Sequence, residues 1–191
     1  PWAAELGCGS WAQFFLRYHR GLIADLAGRK KEAAAAYEKV YAQDGRTLRT
    51  ALAYARHIAY AGDRKKALSI VNEQITRSGG DGHPLLRSFK AALESGRPID
   101  PIVKTSSEGL AEVFYGLGEA LIGEGAVGVG MLYMQMALYV EPGHQFALAA
   151  LASAYEGNKQ YQDAIDVYNR IPSTSPLATA VEIRKAFNLN S

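Results

Sequence analysis

The chain of 191 residues is poor in the features that most directly announce a function. It has one cysteine, Cys8, so no internal disulfide can form, and the redox compartment is left open. A short Glu5-Leu6-Gly7-Cys8 segment resembles a lipoprotein cleavage site, but no apolar run precedes it and an acidic residue sits close by, so Cys8 reads as a plain free thiol. No apolar stretch reaches the roughly 18 to 20 residues of a membrane span. There are only four histidines, His19, His57, His83 and His144, and none stands at metal-ligand spacing from another. The net charge is a mere +2, which gives no overall bias toward nucleic acid or an acidic surface. The first residue is Pro1 and not Met, so a processed chain or a part of a longer one is expected, with any targeting signal gone.

Hydrophobic residues make up 48% of the chain and charged ones 21%, enough to build a core and too apolar for disorder. The small net charge conceals a division. Residues 1 to 104 carry 17 Lys/Arg against 10 Asp/Glu, a balance of +7; residues 105 to 191 carry 4 against 9, a balance of −5.

The strongest pattern lies between Ala111 and Ile171, where one helical hairpin is written twice. Leu117-Gly118, Leu121, Ala137 and Pro142 mark the first copy; Leu151-Ala152, Tyr155, Ala164 and Tyr168 mark the second, with Ala152 34 places after Gly118. Small residues at Gly118, Ala152 and Ala164 let two antiparallel helices approach closely, and the large apolar residues fill the space around them. Pro142 ends a helix. Upstream, Gly28 and Gly62 are again 34 apart, and Tyr54-Ala55, Ile58 and Ala67 repeat the pattern, with Asp63 as an N-cap. A more divergent copy carries Gly21, Ala33 and Tyr37, with Arg20 where a large apolar residue is usual. Its helices are expected over Trp11 to Ala27, capped by Ser10, and over KKEAAAAYEKVYAQ up to Asp44-Gly45.

Between Ser78 and Ser106 the period fails. SGGDGHP is a turn cluster, Pro84 to Ser95 a lone amphipathic helix, and Arg97 to Thr105, with two prolines, an extended segment crossing back over the stack. Thr105 and Glu108 have capping-box spacing and restart the helices near Ser106. After PSTSP, Leu177 to Asn188 reads as the first helix of a further repeat, and its apolar positions imply a chain that continues.

These residues resemble the tetratricopeptide repeat family, and the insert together with EGLAEVFYGLGEAL and RIPSTSP is similar to the middle of large alphaproteobacterial members that generally carry a secretion signal, which favours the cell envelope. The resemblance implies an all-α solenoid, a right-handed superhelix of about ten helices forming one elongated domain. Its repeats run at about 14–47, 48–77, 111–144 and 145–175, with an irregular insert over 78–106 and a partial repeat over 176–191. It also implies that the first helix of each hairpin lines a concave face. The corresponding inward positions are Arg49, Leu52, Arg56 and Ala59, joined by Tyr60; Glu112, Tyr115, Glu119 and Ile122; and Phe146, Ala149, Ser153 and Glu156. A clamp for acidic chaperone tails would require Lys, Asn and Arg where Tyr18, Leu22 and Ala53 stand, so that ligand is discounted.

A non-enzymatic scaffold for a peptide or helix of another protein follows as the leading expectation, with Arg49 and Arg56 meeting acidic groups and Tyr115 or Phe146 filling a pocket. Two alternatives remain: self-association through the oppositely charged halves, giving a homo-oligomer, and nucleic-acid binding through Arg29–Lys31 and Arg64–Lys66, which the acidic second half disfavours. No cofactor, metal or small-molecule substrate is expected. The glycines of Gly123-Glu-Gly125-Ala-Val-Gly128 match a dinucleotide-binding spacing, but a helix and not a buried strand precedes them. His57 and Glu73 fall close enough within one repeat to be considered as an acid–base pair, with no third group suggested.

Overall fold

The computed structural model describes residues 10–45 and 47–190, and Cys8 lies outside them. Among the described residues there are ten helices and no strand. They run as antiparallel hairpins, and the same conformational switch joins the helices of each. Counting each repeat from residues 14, 48, 111 and 145, the fifteenth position has positive φ every time: Gly28 at 71°, Gly62 at 111°, Gly125 at 87° and Lys159 at 60°. Glycine takes this left-handed region without a Cβ penalty. Gly62 uses it to return its N–H to the carbonyls of Ile58 and Ala59, closing the preceding helix. In the fourth repeat the same turn is made by a lysine, at a cost.

Packing divides the chain into two compact units, one up to Ser106 and one from Ser107. In the first unit, α1 (Ser10–Leu26) pairs with α2 (Lys30–Asp44), α3 (Leu48–Ala61) with α4 (Arg64–Ser78), and α5 (Pro84–Glu94) follows alone. Asp63 caps α4 by accepting from the Lys66 N–H at 3.0 Å. The core holds Tyr18, Leu22, Tyr37, Val40, Tyr54, Val71 and Phe89. Gly21 lies under the Tyr37 ring, where a Cβ would stand 2.9 Å from Cε1. The residues after α5 form no helix, but Val103 is buried and Ile99 and Ile102 pack against the same core. Arg64 holds the start of this segment by donating to the carbonyls of Leu93 and Gly96, each at 3.1 Å, and to that of Arg97.

In the second unit, α6 (Ser106–Gly123) and α7 (Val127–Val140) form one hairpin, α8 (Gln145–Gly157) and α9 (Tyr161–Tyr168) another, and α10 (Ala178–Leu189) packs on α9. α6 and α7 touch backbone to backbone. A Cβ on Gly118 would sit 2.9 Å from the Gly130 carbonyl oxygen, and one on Gly130 would sit 2.7 Å from that of Gly118 and 2.5 Å from Ile122 Cγ1. Ala33, Ala67 and Ala164, at the position of Gly130 in the other repeats, have no exposed surface. Hairpins of this length, joined at this period and closed by small residues at the crossing, make the fold all-α and of the tetratricopeptide type.

Candidate protein-docking face

The positions expected to face inward in the second unit lie on α6 and along α8. On α6, Glu112, Tyr115, Glu119 and Ile122 are spaced three, four and three residues apart and so share one side of the helix. The side chain of His144, just before α8, is the N-cap: its Nδ1 accepts from the Ala147 N–H at 3.1 Å. That assignment leaves the proton on Nε2, which donates to Glu112 Oε1 at 3.0 Å. The Tyr115 ring lies 5.2 Å from the His144 ring and 6.0 Å from that of Phe146, and the Tyr115 hydroxyl donates to Glu119 Oε1 at 3.0 Å.

Four of the expected residues therefore converge, together with His144, for which the sequence showed no ligand spacing. Glu112 and Tyr115 are buried beneath the face, Phe146 is half-buried, and Glu119 is exposed at its edge. The buried pair fixes the positions of the rings, so the surface is set before any partner arrives. Ala149 is half-buried and Ser153 exposed further along α8.

Glu156, also expected to face a ligand, is taken up within the chain. Its Oε1 accepts from Asn188 Nδ2 at 2.8 Å and its Oε2 pairs with Arg184, so it ties α8 to α10. Tyr168 lies in the same place, and burial pushes its phenol pKa up.

The positions expected to face inward in the first unit do not converge in this way, because each packs on its own neighbour. The Arg49 guanidinium stands 4.5 Å from the centre of the Tyr18 ring and that of Arg56 5.3 Å from Phe89. Burial lowers the Arg56 pKa, with the nearby Asp100 carboxylate opposing it. Leu52 packs against the core, Ala59 is buried, and Tyr60 carries Lys30 Nζ 4.2 Å above its ring.

His57 does not approach Glu73, contrary to the sequence reading. Its Nδ1 lies 2.8 Å from Asp25 Oδ1 in a pair with almost no solvent access, while Glu73 pairs with Arg77 one helical turn along at 2.5 Å. The reason is geometric: the side chain points across to the first helix of the preceding repeat and not to the second helix of its own. The Asp25–His57, Glu112–His144 and Glu156–Asn188 contacts all span 32 residues. In the first of these, the twelfth residue of one repeat meets the tenth of the next, and Glu156 is likewise the twelfth residue of its repeat. These bridges are a recurring lock between successive first helices, which the sequence periodicity alone did not reveal.

The basic triplets are likewise partly engaged. Arg29 pairs with Glu32 at 3.6 Å, Lys30 lies over Tyr60, Lys66 Nζ stands 5.5 Å from the centre of the Tyr54 ring, and Arg64 binds three carbonyls, while Lys31 and Lys65 are exposed. Among the described residues, no group of three or more His, Cys, Asp or Glu stands close enough to hold a metal ion, and no helix is long and apolar enough to cross a membrane. A hollow between α1 and the start of α2 is lined by Leu16, His19, Arg20, Ile23, Ala24, Arg29 and Glu32.

No protein-family model and no curated protein matches the sequence. Among solved structures, the chain is similar to two crystal structures of MamA. One is 16% identical over 93% of this chain and 87% of that chain, with a TM-score of 0.35; the other is 18% identical over 87% and 96%, with a TM-score of 0.31. Both similarities are remote, and the fold assignment rests on the hairpins themselves.

Proposed function

We propose that the protein is a non-enzymatic scaffold for protein–protein interaction, and that the face built from α6 and the start of α8 holds a peptide segment or helix of a partner. The observation that carries this reading is the convergence of Tyr115, Phe146, His144, Glu112 and Glu119 from two successive repeats. Aromatic rings are the usual anchors of binding energy; the half-buried Phe146 is the ring an incoming segment can reach, seated against the buried Tyr115, and the exposed Glu119 carboxylate beside it favours a basic group on that segment. The chemistry of the face fits recognition and not catalysis: its histidine is occupied at both nitrogens, as a cap and as a donor, and its tyrosine hydroxyl is bonded to a carboxylate.

The test is capture of partners from an extract of the native host by the wild-type protein and by a Glu119→Lys/Phe146→Ala variant, followed by mass spectrometry. The variant is expected to keep its helical circular dichroism and lose the proteins that the wild type retains. Retention of the same proteins by both would refute the assignment of this face. Reversal of Arg49 and Arg56 is a poorer probe, because both lie on rings inside the first unit and their loss disturbs packing.

A further inference from the structure

The second helix of each hairpin turns one side outward, and the same register positions can be compared from repeat to repeat. At the twenty-second and twenty-sixth positions stand Ala35 and Lys39, Ser69 and Glu73, Leu132 and Met136, and Asp166 and, just past the end of α9, Arg170, every one of them exposed. Three repeats place a charge there, as a solvated face requires. The third places two large apolar side chains. Val129, Leu132, Met136 and Tyr139 form an unbroken stripe along α7 with exposures of 51%, 55%, 38% and 90%. Nothing in α7 relieves it, since Val127–Val140 contains no charged residue.

We infer that this stripe is the contact by which two copies of the chain associate, α7 against α7 about a two-fold axis with the helices antiparallel. The spacing of the four residues is three, four and three, which reads the same in both directions and suits helix-on-helix packing. Reversal sets the short Val129 of one copy against the long Tyr139 of the other and Leu132 against Met136, so that volumes complement each other in an isologous contact. Like copies ordinarily repel where they meet, but an uncharged helix removes that obstacle. A membrane surface is the poorer occupant: a helix lying in a lipid interface uses Lys and Arg on its flanks, α7 has none, and residues 105 to 191 carry a balance of −5. α7 is 14 residues long, about 21 Å at 1.5 Å per residue. One helix pair of that length buries less than the roughly 1,200 Å² of a standard interface, so the dimer is weak and fills only at high protein concentration.

Sedimentation velocity between low and high micromolar concentration tests this, at low salt and at 0.5 M salt. Wild type is expected to move from monomer toward dimer with concentration, and to do so at least as readily in high salt, because apolar contact is not screened. Leu132→Glu/Met136→Glu should remain monomeric with unchanged helical circular dichroism. Should that pair impair folding, Tyr139→Lys, at the most exposed position of the stripe, gives the same reading. A wild type that stays monomeric throughout overturns the inference and leaves the stripe to a different partner. A dimer that the substitutions spare, or one that dissolves in high salt, overturns it as well, the latter pointing to the oppositely charged halves.

Discussion

The contact between Gly118 and Gly130 makes the sharpest demand on sequence, and Gly130→Ala tests it. In a helix interior, alanine is favoured over glycine by about 1 kcal/mol, so the substitution would stabilise α7 if nothing else intervened. Here the new methyl would lie 2.5 Å from Ile122 Cγ1, 2.7 Å from the Gly118 carbonyl oxygen and 3.0 Å from the Ile122 nitrogen. Two of these neighbours are backbone, so relief requires the helices to separate. Overpacking of this kind costs about 1–3 kcal/mol, which leaves a net loss of about 1 kcal/mol. Gly109→Ala in α6, where a Cβ meets nothing within 4 Å, isolates the propensity term and should gain up to about 1 kcal/mol. The two variants should therefore differ by about 2 kcal/mol. In a chain of this size that corresponds to a separation of about 4–8 °C in melting temperature, followed by circular dichroism with urea unfolding as a check. If Gly130→Ala stabilised the protein as much as Gly109→Ala, the close crossing of α6 and α7 would be wrong.

Asp25→Ala strands His57 in the core and should cost about 3 kcal/mol by urea unfolding, whereas Glu73→Ala, which removes only an exposed pair with Arg77, should cost under about 0.5 kcal/mol. Lys159→Gly relieves a left-handed lysine and should raise stability by about 1 kcal/mol, measured the same way; a loss would show that the turn prefers its side chain. Burial first, and the Arg87 guanidinium second, hold the His83 imidazole below its ordinary pKa, while its Nδ1 accepts from the Leu85 N–H at the start of α5. The folded value lies below the unfolded one, so this contribution to stability is complete above about pH 6.5 and is lost as pH falls through the folded value. Amide exchange in residues 84–94, corrected for intrinsic rates, should therefore quicken relative to residues 64–78 between pH 7 and pH 5. His83→Asn, a cap that does not titrate, should remove the difference.

The helices were legible because their signals are local. Amphipathic spacing, the Asp63 cap and the glycines at 28, 62 and 125 lie within the elements they shape, and the expected helices match the observed ones to within about two residues. Lys159 escaped notice because a lysine carries no turn signal; only the position of Gly28, Gly62 and Gly125 in the other repeats points to its conformation. The polar bridges were illegible for a different reason. Asp25 and His57 sit in different repeats, and which side chain crosses the gap depends on how one first helix lies against the next. The same relation took Glu156 away from the candidate face and gave it to Asn188 and Arg184. A search for an acidic residue followed 32 places later by His or Asn would have found all three bridges. Tyr115 and Phe146 were singled out because the family pattern puts inward positions there, and the structure sets their rings side by side; His144 was not, because it precedes its helix and does not lie within it.

A photoreactive phenylalanine placed at Glu119, at Phe146 or at Ser69, and irradiated in an extract of the native host, tests the docking face most directly. Glu119 and Phe146 belong to the proposed face, whereas Ser69 is an exposed position on α4 outside it. Cross-links from the first two positions to the same protein, with none from Ser69, are the result expected of a scaffold that binds along α6 and the start of α8. Cross-links from Ser69 alone would contradict it.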